Sequence, residues 1–402
     1  MTLDLLPAPV LSEAGTVRLC MMLTASEIGA RLRAVRNDAR LDEKSAAQAS
    51  GLSVEQLRGI EEGEPVRARI LIQLTTTYGL TEEDLVAPDP PVATAVSALL
   101  RGEMGEREEL ARHLGRLALV CREQTLLEDI LGISSRGMVT HFAPAGLSSD
   151  PAYEQAEALA DKVRGALDLG SAPIRSMSQL LGEMGVRLIW TDHLGENIRG
   201  LSLNDPRVGP SVIVNVGSPR RAWWSLRSTI AHELCHILFD RIPTAPFGTV
   251  SRKKSNLSIE QRADAFAYYF LAPREGVTRF LRNSLGRVPY ELDRNDVQAF
   301  ANHFAVGIEA ATWHLRNLGW LSETQRQNLA RLTYPIEPEL DTESPWANTA
   351  LKPFIEKGVE LERLGLVLLA ATAFSRGQIT EGRLREALGL SPFTDLTSLL
   401  AA

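Results

Sequence analysis

The stretch STIAHELCHILFD, Ser228 to Asp240, holds two histidines four residues apart with a glutamate directly after the first. On a helix this spacing puts His232 and His236 on one face, where two imidazole nitrogens can reach a single ion. Ile230, Leu234, Ile237 and Leu238 fall on the opposite side, so the segment reads as a helix with an apolar back and one polar stripe. Glu233 is placed to take a proton from water held by the ion. Two positions around a tetrahedral zinc ion would remain to be filled. Downstream, Glu260 offers a third ligand. Asp264, four residues further on the same face of SIEQRADAFAYYFLAP, can accept the spare N–H of a ligand histidine and fix its tautomer. Ala263, Ala265 and Ala267 on that helix are small enough to allow close approach. The bland alternative is a pair of histidines on an unrelated amphipathic helix. Agreement at four positions favours a metal site with one Zn2+ per chain, another divalent metal being the alternative.

The elements that must position these residues can be read on either side. From Ala25 the pattern is helical in short pieces, with Ser53 as an N-cap and Gln56 three residues on; five such pieces around a Gly51 turn predict a helix-turn-helix. APDPPVA is a first linker, residues 95–138 read as leucine-striped helices, and FAPAGLSSDP marks a second break. Two helices then lead into the strands VRLIW, RGLSLN and SVIVNV, followed by the histidine helix and the Glu260 helix. Residues 294–320 form two more helices, and a final helical piece follows the Pro-rich YPIEPELDTESPW. The fold class expected is α+β and mainly helical, with a small mixed sheet. The boundaries expected are an irregular extension over 1–21, a helix-turn-helix domain over 22–90, a helical linker region over 91–150, a peptidase domain over 151–335 and a C-terminal helical region over 336–402.

Glu-x-x-x-Asp after His-Glu-x-x-His is the arrangement of gluzincin metallopeptidases, and with these residues the chain resembles the ImmA/IrrE family fused to an XRE-type helix-turn-helix. The resemblance rests on RSTIAHELCHILFD, EQRADAFAYYFLAP, IRGLSLNDPRVGPSVIVNVGSP and VQAFANHFAVGIEAATWHLRNLGWLS. It implies His232, His236 and Glu260 as zinc ligands, Glu233 as general base or acid, and a zincin-like fold. In such folds an edge strand pairs with extended substrate, for which SVIVNV (Ser211, Val212, Ile213, Val214, Asn215) is the candidate by order. Tyr268 could approach the site as an oxyanion stabiliser, although core packing is the commoner role. Cys235 stands where the family usually has glycine; a buried packing thiol is the first expectation for it and a redox-sensitive thiol the second. The family implies a site-specific protease or antirepressor acting on a helix-turn-helix repressor, linked to stress-response, phage or mobile-element genes. The alternatives are a DNA-binding regulator whose zincin-like domain senses a ligand or partner, and an antirepressor that acts by binding alone.

DNA is the less secure partner. Between Met22 and Pro90 eight Lys and Arg face twelve Asp and Glu, a poor balance for a module that must neutralise phosphates. Gln56 and Arg58 are the candidate base readers, with Ser53 at the start of the same helix and Arg36 and Arg40 in a basic cluster that could grip one backbone. Operator DNA would be bound most plausibly as a homodimer. The whole chain carries a net charge of −7, its three cysteines are too few and scattered for a disulfide scaffold, and no apolar run approaches a membrane span. These features suggest a cytoplasmic protein.

Overall fold

The computed structural model describes residues 23–38, 41–87, 107–133, 137–145, 150–205, 209–217, 222–241, 247–252, 258–331 and 341–396. Five helices open it: α1 (Ala25–Asp38), α2 (Glu43–Ala49), α3 (Val54–Glu61), α4 (Ala68–Thr77) and α5 (Glu82–Val86). Their starts are written in the sequence. Asp42, Ser53 and Thr81 each cap the following helix, and Ser53 with Gln56 forms a full capping box. A long helix, α6 (Arg107–Ile130), packs against α2 and α4. At their crossing a Cβ on Gly115 would lie 1.8 Å from the Thr76 carbonyl oxygen, so only glycine permits this approach. Of the expected helical stretch over 95–138, α6 is a described part; residues 95–106 lie outside the described ones.

Helices α7 (Ala152–Ala166) and α8 (Met177–Glu183) lead into a four-stranded mixed sheet of order β1-β3-β2-β4. Strand β1 (Arg187–Thr191) runs parallel to β3 (Gly209–Asn215), while β2 (Ile198–Asp205) is antiparallel both to β3 and to β4 (Phe247–Arg252). Strand β4 is an addition to the three strands expected. Its sequence, FGTVSR, carries no apolar alternation strong enough to announce a strand. The expected substrate strand is corrected by this order. Ser211 to Asn215 are buried, Ser211 to Val214 are paired on both sides and Asn215 with β1, so β3 lies inside the sheet and not at its edge. Asn215 holds the β1–β2 connection instead, its Nδ2 donating to the carbonyls of Leu194 at 3.0 Å and Ile198 at 2.9 Å.

Across one face of the sheet lies α9 (Trp223–Cys235), which continues as a π turn over His236–Asp240; α10 (Ser258–Leu271) packs on both α9 and α7. The π turn replaces the plain helical continuation expected there. After α10 come α11 (Arg274–Arg279), α12 (Arg294–Phe304), α13 (Ile308–Asn317) and α14 (Glu323–Ala330). The chain then closes on α15 (Lys352–Glu356), α16 (Leu364–Ser375) and α17 (Glu381–Leu388). The C-terminal helices are not a separate appendage, since α16 packs on α6 and β1. No helix among the described residues is long and apolar enough to cross a membrane.

His314 on α13 is fully buried against α10, its Nε2–H donating to the Ala272 carbonyl at 2.7 Å. Burial pulls its pKa down to about 4. The unfolded chain takes up this proton near pH 6.5 and the folded chain resists until about 4. The neutral ring's contribution is therefore complete above 6.5 and lost as pH falls to 4, up to about 3 kcal/mol. Thermal unfolding at pH 7 and pH 5 is expected to show a smaller acid-induced drop in His314→Gln than in the native chain. An equal drop in both would exclude the effect.

Candidate metal centre

His232 and His236 lie on α9 and at its π turn, and Glu260 on the first turn of α10; all three are buried. Their inward atoms converge. His232 Nε2 is 3.1 Å from His236 Nε2 and 3.4 Å from Glu260 Oε2, while His236 Nε2 is 3.2 Å from Glu260 Oε1. The outer nitrogens are both occupied, His232 Nδ1 by Asp264 at 3.0 Å and His236 Nδ1 by Asp240 at 2.7 Å. Carboxylates only accept when ionised, so each Nδ1 carries its proton and the neutral rings turn their Nε2 lone pairs on each other. Two lone pairs and a carboxylate at van der Waals distance are a repulsive set unless a cation lies among them. The spacing fits one. Ligands at about 2.1 Å from a tetrahedral centre stand about 3.4 Å apart. The three residues can hold a metal ion.

With no ion, protons would carry that role. Burial opposes charge on His236, but Asp240 and Glu260 outweigh it and raise its pKa to about 10. Burial raises Glu260, yet the two histidines overcome it and lower its pKa to about 2. A bound cation must displace such protons, so ion uptake is disfavoured by acid.

Glu233 is fully buried on the flank of this cluster, and burial raises its pKa. One oxygen is fixed, Oε2 by the Ser202 hydroxyl at 2.6 Å, whereas Oε1 is buried with no hydrogen-bond partner. Space for the helix comes from the sheet. Gly200 and Ser202 alternate on the same face of β2, and a Cβ on Gly200 would sit 2.7 Å from Glu233 Oε1 and 2.9 Å from Thr229 Cγ2. A β-bulge between Ile198 and Gly200 turns Arg199 toward Asp264, 3.4 Å away. Arg199, His232, Glu233, Ser251, Asp264 and Tyr268 surround a cavity of about 70 Å3. Burial among these residues pushes the Tyr268 hydroxyl up to about 12, so the phenol stays a proton donor at neutral pH. Gly200→Ala is expected to displace Glu233 and lower any cleavage rate about 100-fold with metal content intact. Unchanged turnover in that variant would show that the close approach is dispensable.

The chain was compared with known families. Residues 182–315, which contain every residue of this cluster, match the IrrE N-terminal-like domain of the peptidase M78 family. Residues 27–87 match a helix-turn-helix domain. The chain carries an XRE-like helix-turn-helix domain followed by an IrrE-like metallopeptidase-type domain. No curated protein matches the chain. This pairing makes it a regulatory protein of DNA-binding type with a protease-like domain.

Within the IrrE-like domain, Ser202, Asp240 and Arg262 escaped sequence reasoning. Asp240 anchors His236 and also pairs with Arg262, which is buried on α10. Its place four residues after His236 is a signal that could have found it, as Asp264 was found after Glu260. Ser202 gives no such signal, because only strand pairing brings it to Glu233. Cys235 is fully buried, which raises its thiol pKa well above the ordinary range, as suits a packing residue.

The helix-turn-helix places its basic residues differently from expectation. Arg36 is buried and holds Glu61 through two bonds of 2.6 and 2.8 Å, so it is unavailable to a phosphate. Arg31 donates to the carbonyls of Leu85 and Ala87, and Arg33 to that of Glu61. The basic cluster is therefore largely spent inside the fold, and Arg40 lies outside the described residues. Arg58 is exposed on α3 but paired with Glu43 at 2.7 Å. Ser53 and Gln56 are exposed beside it, their side chains engaged in the capping box.

Proposed function

We propose that the chain is a zinc-dependent endopeptidase that cleaves a regulatory protein, with a helix-turn-helix repressor as the favoured substrate. The reading is carried by one observation, the convergence of His232, His236 and Glu260 within 3.4 Å, each histidine anchored from behind by a carboxylate. In this reading those three residues hold one Zn2+ and Asp264 and Asp240 fix the ligand tautomers. When bound, the ion would polarise a peptide carbonyl and acidify water.

Glu233 accepts the proton from water on Oε1, the oxygen that Ser202 leaves unengaged, and delivers it to the leaving amine. Its raised pKa suits a group that must both take and return a proton. Tyr268, protonated at neutral pH, donates toward the developing oxyanion. An extended substrate stretch pairs with the outer edge of β4, which among the described residues bonds only to β2 and brings Ser251 to the cavity. The link to stress, phage or mobile-element genes follows from the resemblance of the domain pair.

Metal content of the purified full-length chain tests the reading. One zinc per chain is expected, lost in His232→Ala while circular dichroism stays native-like. A native chain prepared without chelators and still free of metal would transfer the argument to a regulator that senses without cutting.

A further inference from the structure

A second cavity, of about 420 Å3, lies where the helix-turn-helix, α6, the end of β1 and the C-terminal helices meet, far in sequence from the His232 cluster. We propose that at its edge, where His193 and Glu362 line it and Asp192 adjoins them, these three residues form a second metal site, for a divalent transition-metal ion.

The three donors come from two segments. Asp192 and His193 directly follow β1, and Glu362 sits in the short 3-10 turn Leu361–Arg363 that packs on that strand. His193 Nε2 lies 3.4 Å from Asp192 Oδ1 and 3.9 Å from Glu362 Oε1, and one ligand atom from each residue falls within 4.8 Å of the others. The 3.4 Å separation is that of two ligands around one ion, and the 3.9 Å one is wider, so Glu362 would close by about half an ångström on an ion. One imidazole with two carboxylates neutralises a divalent charge, and its nitrogen–oxygen donor set suits zinc, nickel, iron or manganese better than calcium or copper(I).

Two further contacts support a built site. The Thr191 hydroxyl donates to Glu362 Oε1 at 2.6 Å, orienting the carboxylate as outer hydrogen bonds orient metal ligands. His113 of α6 stacks on His193 with ring centroids 5.5 Å apart and planes 10° from parallel, placing a second imidazole on the cavity wall. Asp192 and His193 are half-exposed, so ions can enter and leave. That suits a responsive site rather than a permanent structural one.

An ion here fastens the peptidase sheet to the C-terminal turn, beside α6, which packs on the helix-turn-helix. Its occupancy would thereby report metal supply to the junction of the domains. The inference shares no residue with the His232 cluster and does not depend on peptidase activity.

The test uses the full-length chain, stripped with chelator, titrated with Zn2+ and analysed by calorimetry and elemental mass spectrometry. Two ions per native chain are expected, and one in His193→Ala/Glu362→Gln, both being substitutions near the surface. Asp192→Asn is a milder second variant, expected to weaken the same ion without changing the fold. If the native chain binds only one ion and the double variant keeps it, the site does not exist. A second ion retained at equal affinity in both variants likewise overturns the assignment. One ion in the native chain and none in the double variant would uphold this site while removing the metal from the proposed catalytic cluster.

Discussion

Replacing Glu233 by glutamine is expected to abolish peptide cleavage, by about a thousandfold or more, while the metal content stays unchanged. The substitution conserves shape. The amide oxygen can still accept the Ser202 hydroxyl, as Oε2 does now at 2.6 Å. What disappears is the ability of the atom at Oε1 to take and return a proton. His232, His236 and Glu260 are untouched, so ion binding and fold should persist. Removing the buried carboxylate also removes its burial cost, and a thermal midpoint equal to or above that of the native chain is expected. The measurement pairs elemental analysis with single-turnover cleavage of a candidate repressor, followed by mass spectrometry. If the variant cuts as fast as the native chain, Glu233 is not the proton carrier. If cutting stops but the regulatory output survives, the domain works by binding rather than hydrolysis.

Glu343→Ala is expected to destabilise the chain by about 3–5 kcal/mol, because it strands a buried cation. Arg227, on α9 five residues before His232, is fully buried and pairs with Glu343 at 2.6 Å. The same carboxylate accepts from the backbone N–H of Met177 at 2.7 Å and of Ser178 at 2.9 Å, at the start of α8. One side chain from the C-terminal region thus neutralises Arg227 of the histidine helix and caps a second helix, where a negative charge is favoured. The backbone carbonyls of Ile174 and Arg175 that also receive Arg227 cannot replace a charge. A lowered thermal midpoint and parallel loss of metal are expected. The double variant Arg227→Met/Glu343→Gln, which removes both charges and keeps an oxygen for the Met177 and Ser178 N–H groups, should recover much of the loss. If the single variant melts like the native chain, the pair is not holding the C-terminal region in place. Residue 343 lies outside both matched domains, so a chain cut after residue 331 should share the defect.

The sequence by itself determined that His232, His236 and Glu260 could share one site, with Glu233 and Asp264 beside them. Helical periodicity fixes which side chains share a face whatever the surroundings, so His-Glu-x-x-His and Glu-x-x-x-Asp could be read before any fold was known. It also determined the capped starts of α3 and the general order of helices and strands, because caps and periodicity are local. Tertiary structure alone decided the rest. Strand order is a long-range choice, so β3 could look like an edge and yet be enclosed by β1 and β2, while β4 took the outer position. The fate of a charge depends equally on what packs against it. Arg36 reads as a phosphate contact until Glu61 closes on it, and only the fold shows that Arg227 meets Glu343, 116 residues away, which pins the histidine helix. Periodicity says which way a side chain faces along its own element; only packing across elements says what it meets there.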